Sequence, residues 1–405
     1  MAVTSTPGVP SHVPPEIVRR FDVVNDPEVL ADPWAAIDRI REEGPIMWSP
    51  ELGGHWIISG ADEVRDAFQN DEVFSSYPTG VPPMTGFWPR KLNPQELDGD
   101  EHTRYRRLLS PFFSPRAIRP LAESVRARAT DLIAAFASSG ECEFVSQLAR
   151  PLPSWVFLDL FGAPVEQADV FTQWATDLLH SNDYAVSAAA AGRIVGYLTT
   201  AIAECQKEPA GDLISGLARA ESDGRPLTSE ELLDMTFLLF IAGMDTVTSQ
   251  LGVIVRHLAA HPDQQETLRA DPGLAGDVLE ELLRLYPIVP PARTVTRDHV
   301  LNGIQLKQGD TVLLAAMGAT RDPRAFPDPA RARFDRKENW TTAFGLGVHR
   351  CLGIHLARQE LRIVLELMAE LLPPYRLAPD AAWHWHTAGN VWGLDRLDLR
   401  FVTGY

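Results

Sequence analysis

Residues 344–372 read FGLGVHRCLGIHLARQELRIVLELMAELL and place a cysteine between a glycine-punctuated loop and an amphipathic helix pattern. Gly345 and Gly347 can adopt backbone conformations closed to other residues, which lets a loop pass close to a flat ligand. Cys351 stands just before the helix pattern, where unpaired N–H groups and the helix dipole stabilise a thiolate. This placement predicts a metal-ligating or nucleophilic sulfur. The alternative is an inert, buried cysteine after a glycine turn.

The composition of the 405-residue chain, 45% hydrophobic and 22% charged, is typical of a globular protein. Its cysteines, Cys142, Cys205 and Cys351, lie far apart and show no C-x-x-C spacing. We therefore expect neither a disulfide framework nor a structural zinc site. The net charge of −17 argues against a general nucleic-acid-binding protein, whose surface should be basic.

The N-terminal residues 1–20 are rich in proline and lack the apolar stretch of a signal peptide. We treat them as a flexible segment. No uninterrupted apolar run reaches the roughly 18 residues of a membrane span. These features predict a cytoplasmic protein without a membrane anchor.

Apolar residues recur at helical spacing in five segments, residues 120–136, 188–205, 229–260, 276–285 and 354–372. Shorter β-like runs occur at residues 45–48, 55–59, 293–296 and 311–314, and again in the last twenty-five residues. The pattern predicts a mainly α fold with small β-sheets. Residues 76–100, rich in proline, glycine and aromatic side chains, form a long loop of the kind that is often functional. We find no linker, so residues 21–405 are expected to form a single domain.

Three further groups of residues have both an ordinary structural interpretation and a functional one. Glu281 and Arg284 are three apart on one helix face, as solvated pairs commonly are. Gly243 and Thr246 weaken a helix interior and can open it locally beside Asp245, although a glycine at a packing contact explains the same residues. His102 and Arg106 also share a helical face and would ordinarily be solvated.

The pattern Phe344-Gly345-x-Gly347-x-His349-x-Cys351-x-Gly353 resembles the haem-binding loop of cytochromes P450, position by position. A dinucleotide-binding interpretation fails, because no third glycine follows at G-x-G-x-x-G spacing. The resemblance extends from about residue 21 to the C-terminus. It implies the cytochrome P450 fold, with haem b between a long distal helix and the proximal cysteine loop, and Cys351 as the iron ligand.

The same resemblance assigns roles to the other groups. Ala242-Gly243-x-Asp245-Thr246 is similar to the oxygen-binding groove of the family, whose acid and alcohol pass protons. Glu281 and Arg284 resemble a buried pair that an arginine before the cysteine loop completes; Arg333 is our candidate, with Arg336 as the fallback. The implied propionate partners are His102, Arg106, Arg293 and His349. Gly99 and Asp100 depart from the family, which usually has proline there.

A thiolate ligand suits oxygen activation, so the resemblance implies a monooxygenase that uses O2 on a small hydrophobic substrate. The closest likeness is to soluble bacterial members, with a weak similarity to the branch that hydroxylates monoterpenes such as camphor. Asn390 stands where that branch usually has an apolar residue. The expected substrate contacts are Val81, Phe87, Trp88, Leu238, Ile241, Val289, Asn390 and Val391.

Alternatives remain for the activity and for the electron source. A haem sensor or carrier would need no proton-relay pair, a peroxide-driven enzyme should lack Asp245-Thr246, and a cysteine hydrolase would need an orienting acid beside Cys351 and His349. The chain contains no flavin or iron–sulfur segment, so electrons should come from an acidic ferredoxin and its NAD(P)H-dependent reductase. The candidate docking residues are Arg104, Arg107, Arg350 and Arg358, unless these are solvated or locally paired.

Overall fold

The computed structural model describes residues 8–83, 88–181, 183–208, 210–379, 381, 385–386 and 391–402. Most of these residues are helical. In chain order the α-helices are α1 Pro27–Ala31, α2 Pro33–Glu43, α3 Ala61–Gln69, α4 Gly99–Leu109, α5 Pro115–Ile118, α6 Ala122–Phe136, α7 Pro151–Phe161, α8 Ala168–His180, α9 Tyr184–Lys207, α10 Leu213–Ala218, α11 Ser229–Ala260, α12 Pro262–Ala270, α13 Ala275–Leu285, α14 Ala316–Ala319 and α15 Ile354–Leu371.

The strands are short. They are β1 Ile46–Ser49, β2 His55–Ile58, β3 Phe74–Ser75, β4 Glu141–Glu143, β5 Glu221–Ser222, β6 Arg225–Pro226, β7 Ala292–Val295, β8 His299–Leu301, β9 Ile304–Leu306, β10 Thr311–Leu314, β11 Tyr375–Leu377, β12 Trp385–His386, β13 Gly393–Leu394 and β14 Asp398–Phe401. The fold is therefore mainly α with small sheets, as the sequence predicts.

The chain divides into two compact units that alternate along the sequence. The first, which we call the sheet unit, takes in the described residues up to Thr103, then Glu280–Cys351 and residues 391–392. The second, the helical unit, takes in the described residues of Arg104–Leu279 and Leu352–His386, and those from Gly393 onward. The single domain expected for residues 21–405 stays a prediction.

The sheet unit is built on a five-stranded sheet in the order β1-β2-β10-β7-β3. β2 and β10 are parallel, and the other neighbours are antiparallel, with Trp48 of β1 opposite Trp56 of β2. Both tryptophans belong to a buried apolar cluster that also includes Phe68 of α3. Val13 lies in this cluster too, although residues 1–20 were expected to be flexible, so part of that segment packs on the sheet.

The helical unit is organised around α11. This helix begins with a capping box, because Thr228 Oγ1 accepts the N–H of Glu231 while the Glu231 carboxylate accepts the N–H of Thr228. Buried side chains lie on every side of α11, as expected for a helix inside a core. A three-stranded antiparallel sheet in the order β11-β14-β4 and the amphipathic helix α15 belong to the same unit.

Helices α9 and α11 are each long and apolar enough to cross a membrane by length and composition alone. In α11, 83% of the most apolar 18-residue window is buried inside the protein, against 28% in α9. Core packing therefore accounts for the apolar surface of α11. Polar residues interrupt the apolar residues of both helices, so neither forms an uninterrupted apolar run in the sequence.

Candidate active site

The cysteine loop lies in the sheet unit against helix α3. Gly345 and Gly347 have positive φ angles of 64° and 71°, a conformation that side-chain-bearing residues rarely adopt. A Cβ atom at Gly347 would collide with the backbone carbonyl of Phe68, so the close approach of loop and helix also requires glycine there. Phe344 accepts a hydrogen bond of 2.8 Å from the N–H of Cys351. The turn closes at that point and leaves Cys351 exposed.

Basic side chains predicted to bind propionates come together near this loop. The rings of His102 and His349 are 4.1 Å apart between centroids, and His349 Nε2 lies 3.4 Å from Asp98 Oδ1. Burial alone would raise the pKa of Asp98, but hydrogen bonds from His349, Ser75 and the N–H of Ser76 outweigh it and lower the pKa to about 2. Asp98 therefore stays ionised beside the two histidines. The sequence analysis missed Asp98.

Arg293 is a buried cation on strand β7. Its guanidinium donates to the carbonyl of Ala292 and lies over the ring of Phe68. Burial lowers its pKa to about 10, opposed by the charge of Asp98. Among the described residues, no carboxylate forms an ion pair with Arg293. A buried guanidinium in this state suits a bidentate carboxylate ligand, so the side chains of the sheet unit fit the propionates of a haem. Arg106, one turn after His102 on α4, is half-buried.

The predicted triad before the cysteine loop is present with a different third member. Glu281 and Arg284 form two hydrogen bonds of 2.8 Å and are almost wholly buried. Arg336 completes the group, with Nε 3.1 Å from Glu281 Oε2 and its side chain 6% exposed. The prediction of Arg333 is wrong. Its backbone N–H donates to Glu281, which turns its side chain outward to Asp335, where it is 41% exposed.

The acid–alcohol pair lies on α11 in the helical unit. Thr246 Oγ1 donates to the carbonyl of Ala242 at 3.1 Å, a bond by which a threonine can bend a helix. On this buried helix Ala242 is exposed and Thr246 is half-buried, so one turn of α11 is left open. Asp245 is buried, and its Oδ1 lies 3.2 Å from His180 Nε2. The sequence analysis did not identify His180 as a partner of Asp245.

Burial alone would raise the pKa of Asp245, but the charge of His180 and its hydrogen bond outweigh this and lower the pKa. For His180 the effects have the opposite sign. Burial alone would lower its pKa, but Asp245 raises it. Both shifts favour the form in which Asp245 is a carboxylate and His180 an imidazolium. A buried carboxylate without such a partner would be strongly disfavoured.

The predicted substrate contacts lie in both units. Val81, Trp88, Leu238 and Ile241 are buried, the last two on α11. Val289 and Val391 are half-buried. Trp392 donates its N–H to the carbonyl of Ile288 at 2.8 Å, which brings the segments of Val289 and Val391 together. Phe87 and Asn390 lie outside the described residues.

Comparisons with known proteins agree with the resemblance of the cysteine loop. A family model described as Cytochrome P450 matches residues 157–272 and 274–377. A probable cytochrome P450 127A1 of Sinorhizobium fredii is 35% identical, over 97% of this chain and 97% of its own. A steroid C26-monooxygenase of Mycolicibacterium smegmatis is 32% identical, over 84% of this chain and 86% of its own. The crystal structure of cytochrome P450 CYP101C1 has a TM-score of 0.89 at 32% identity, covering 98% of this chain and 100% of that one.

The triad gives a prediction that separates two neighbouring arginines. Arg336→Gln should lower the free energy of unfolding by about 3–5 kcal/mol, because it leaves the buried Glu281 charge short of a partner. Arg333→Gln is the matched control and should change it by no more than about 0.5 kcal/mol, since it keeps the backbone N–H that Glu281 uses. Urea unfolding followed by circular dichroism measures both. Equal losses in the two variants would contradict the assignment of Arg336.

Proposed function

Because the chain belongs to the cytochrome P450 family, we propose that it inserts one oxygen atom of O2 into a C–H bond of a small hydrophobic substrate, with electrons from a ferredoxin and its reductase. Membership makes it a haem-dependent monooxygenase that binds haem b and has the helix-rich fold of the family. The observation that carries the proposal is the position of Cys351. It is an exposed cysteine at the end of a loop whose two glycines hold positive φ angles.

The loop residues and the basic residues each have a role in binding the cofactor. The Cys351 thiolate ligates the iron, and Phe344, Gly345 and Gly353 shape the loop around it. His102, Arg106, Arg293 and His349 bind the propionates by charge-assisted hydrogen bonds. When bound, the haem supplies the oxygen-activating chemistry, while the protein positions the substrate and supplies protons.

Proton delivery falls to Asp245 and Thr246. Asp245 is a buried carboxylate beside the exposed turn of α11, and Thr246 presents a hydroxyl on the same turn. A carboxyl group next to a hydroxyl can pass a proton along a short hydrogen-bonded path. This pair is the feature that favours a monooxygenase over a haem sensor or carrier.

The substrate is a small hydrophobic compound such as a terpenoid or an aromatic. Its contacts come from Val81, Phe87, Trp88, Leu238, Ile241, Val289, Asn390 and Val391. These side chains are apolar except for one amide, which is the usual composition of a small-ligand site. The steroid C26-monooxygenase among the relatives acts on a hydrophobic molecule by its name, and this agrees with an apolar substrate.

The electron donor is an acidic ferredoxin with an NAD(P)H-dependent reductase. Because the net charge is −17, attraction must come from a local group of cations. Arg350 is exposed beside Cys351, next to the exposed apolar Val348, and Arg107 is exposed on α4. Arg104 is unsuited to docking, because it pairs with Asp223 at 3.0 Å and contacts Glu231. Arg358 remains a candidate. The chain acts in the cytoplasm without binding nucleic acid or a membrane.

Thiolate ligation predicts a carbon-monoxide spectrum. The reduced, carbon-monoxide-bound protein should show a Soret band near ~450 nm, and Cys351→Ser should abolish it while a haem can still bind. Cys205→Ser is the matched control, since that cysteine is half-buried in the helical unit, and it should keep the band. A parent protein without the band would refute the ligand assignment.

The proton role predicts uncoupling in a threonine variant. Thr246→Ala should still bind substrate and accept electrons, yet release hydrogen peroxide, with product per NAD(P)H lowered about tenfold or more. Thr236→Ala is the matched control, because Thr236 makes the same bond to an earlier carbonyl of α11. Peroxide and product are measured in the reconstituted system. Unchanged coupling in Thr246→Ala would remove the hydroxyl from the proton path.

Docking predicts a salt-dependent defect. Arg350→Glu and Arg107→Glu should each slow reduction by ferredoxin about tenfold at low ionic strength, with a smaller effect at high salt and unchanged substrate affinity. Arg39→Glu is the control: it changes the net charge by the same amount at an ion pair between helices α2 and α1, and this variant should be reduced at the parent rate. Stopped-flow reduction measures the rates. Parent-like rates in both docking variants at low salt would exclude these arginines.

A further inference from the structure

The proton-delivering carboxyl of Asp245 has a titratable partner to which nothing in the family resemblance assigns a role. His180 is the last residue of α8, and its Nε2 lies 3.2 Å from Asp245 Oδ1. We propose that His180 is a positioning residue that holds Asp245 and keeps the next proton beside it. This inference rests on the proposed function, because it assumes that Asp245 delivers protons.

The His180 ring packs against a second histidine. The ring of His386 is stacked on it, with centroids 4.1 Å apart and planes 26° from parallel. His386 is itself held at both nitrogens, Nδ1 at 3.0 Å from Asp395 Oδ1 and Nε2 at 3.2 Å from Ser249 Oγ. A carboxylate only accepts hydrogen bonds, so His386 Nδ1 donates to Asp395. His386 is therefore held in place and packs against one face of the His180 ring.

The backbone beside this cluster is adapted to it. A Cβ atom at Gly393, on strand β13, would collide with both His386 and Ser249. Glycine at position 393 therefore lets β13 lie close to α11, where His386 meets Ser249. The arrangement of His180 and His386 is thus built into the helical unit.

Charges around His180 favour its protonated form. Asp245 and Asp395 raise its pKa, whereas burial and the charge of Arg150 lower it, with a net rise. His386 is the remaining ionisable side chain described in contact with the ring, and its proton faces Asp395. The C-terminal end of α8 adds the negative end of a helix dipole, which also stabilises a cation. An imidazolium at this position is a proton reservoir next to a carboxylate.

The second oxygen of Asp245 faces a different environment. A small pocket beside Asp245 is lined by Arg150, Thr172, Thr176, Thr248 and two apolar residues. Asp245 Oδ2 and Thr248 Oγ1 are buried, and neither has a hydrogen-bond partner among the described residues. Asp245 Oδ1 therefore lies beside His180 Nε2, while Oδ2 is buried without a hydrogen-bond partner among the described residues.

The proton step conserves charge within the pair. Transfer from His180 Nε2 to Asp245 Oδ1 breaks one N–H bond, forms one O–H bond, and turns imidazolium and carboxylate into imidazole and carboxylic acid. Asp245 becomes ionised again when it passes its proton on toward Thr246. A hydronium ion or a buffer acid then restores the imidazolium.

The pH dependence follows from the direction of the two shifts. Asp245 has a lowered pKa and His180 a raised one, so the ion pair is complete between them. As the pH rises through the pKa of His180, the reservoir proton is lost and coupling of electron use to product should fall. The same loss removes the contribution of this pair to folding stability, because a raised folded-state pKa stabilises only the protonated form.

The first test does not depend on turnover. Histidine labelled with ¹³C at Cε1 is titrated by NMR in the diamagnetic reduced, carbon-monoxide-bound holoprotein, and the His180 signal is identified by its loss in His180→Gln. We expect a raised pKa that falls in Asp245→Asn. His257→Gln is a matched control, because His257 stacks on His261 elsewhere on α11 and should leave the signal unchanged. A His180 pKa that does not respond to Asp245→Asn overturns the proposal.

The second test is the pH profile of coupling, with two replacements of different charge. His180→Gln should lower product per NAD(P)H about tenfold below the His180 pKa and flatten the profile. His180→Arg keeps a cation beside Asp245 but cannot release a proton. Its product per NAD(P)H should therefore be as low as that of His180→Gln and should not change with pH. Parent-like coupling in His180→Arg would show that charge alone is needed, and would refute the proton-holding role.

The same measurements separate this inference from the proposed function. If Asp245→Asn couples as well as the parent, the proton-delivery role of Asp245 fails, whatever the NMR titration shows. If Asp245→Asn is uncoupled while both His180 variants follow the parent profile, the role of Asp245 stands and that of His180 is refuted.

Discussion

The carboxylate of Glu281 is taken completely out of water, and the path of the chain toward the cysteine depends on how that charge is compensated. Arg284 binds it from the same helix and Arg336 from the segment before the loop. Arg284 also donates to backbone carbonyls of residues 320, 329 and 331, which fastens that segment to α13. Thr341 then donates to the carbonyl of residue 283. The buried charge of Glu281 therefore determines the path of the segment that leads to Cys351.

A similar constraint operates on α11 in the helical unit. A helix that is buried on nearly every side gains stability from apolar side chains, yet it must carry Asp245 for chemistry. Burial would neutralise that carboxyl unless a cation lay beside it, and His180 supplies the cation. The functional acid is thus retained in its charged form by a residue on a different helix. His386, which stacks on His180, comes from strand β12 and contacts Ser249 of α11, so three elements meet around this single charge.

Local spacing predicted the helices well. The pattern of residues 229–260 matches α11 at both ends, because a capping box starts the helix and a continuous apolar surface fills it. Patterns at residues 120–136, 188–205, 276–285 and 354–372 correspond to observed helices with small differences at the ends. The two-residue strands β3, β5, β6, β12 and β13 were beyond this approach, because so few residues carry no period and depend on their partner strand.

The sequence by itself determined the family, the helical core, and the placement of Cys351 behind two glycines, because these follow from residue identity at fixed short spacing. Tertiary structure alone decided which arginine joins Glu281. Arg333 and Arg336 have the same chemistry, and only the direction of a backbone N–H turns one inward and the other out. It also decided that His180 meets Asp245 and that His386 meets Ser249, 137 residues apart. Such meetings depend on how distant segments pack, and no local pattern of residues encodes them.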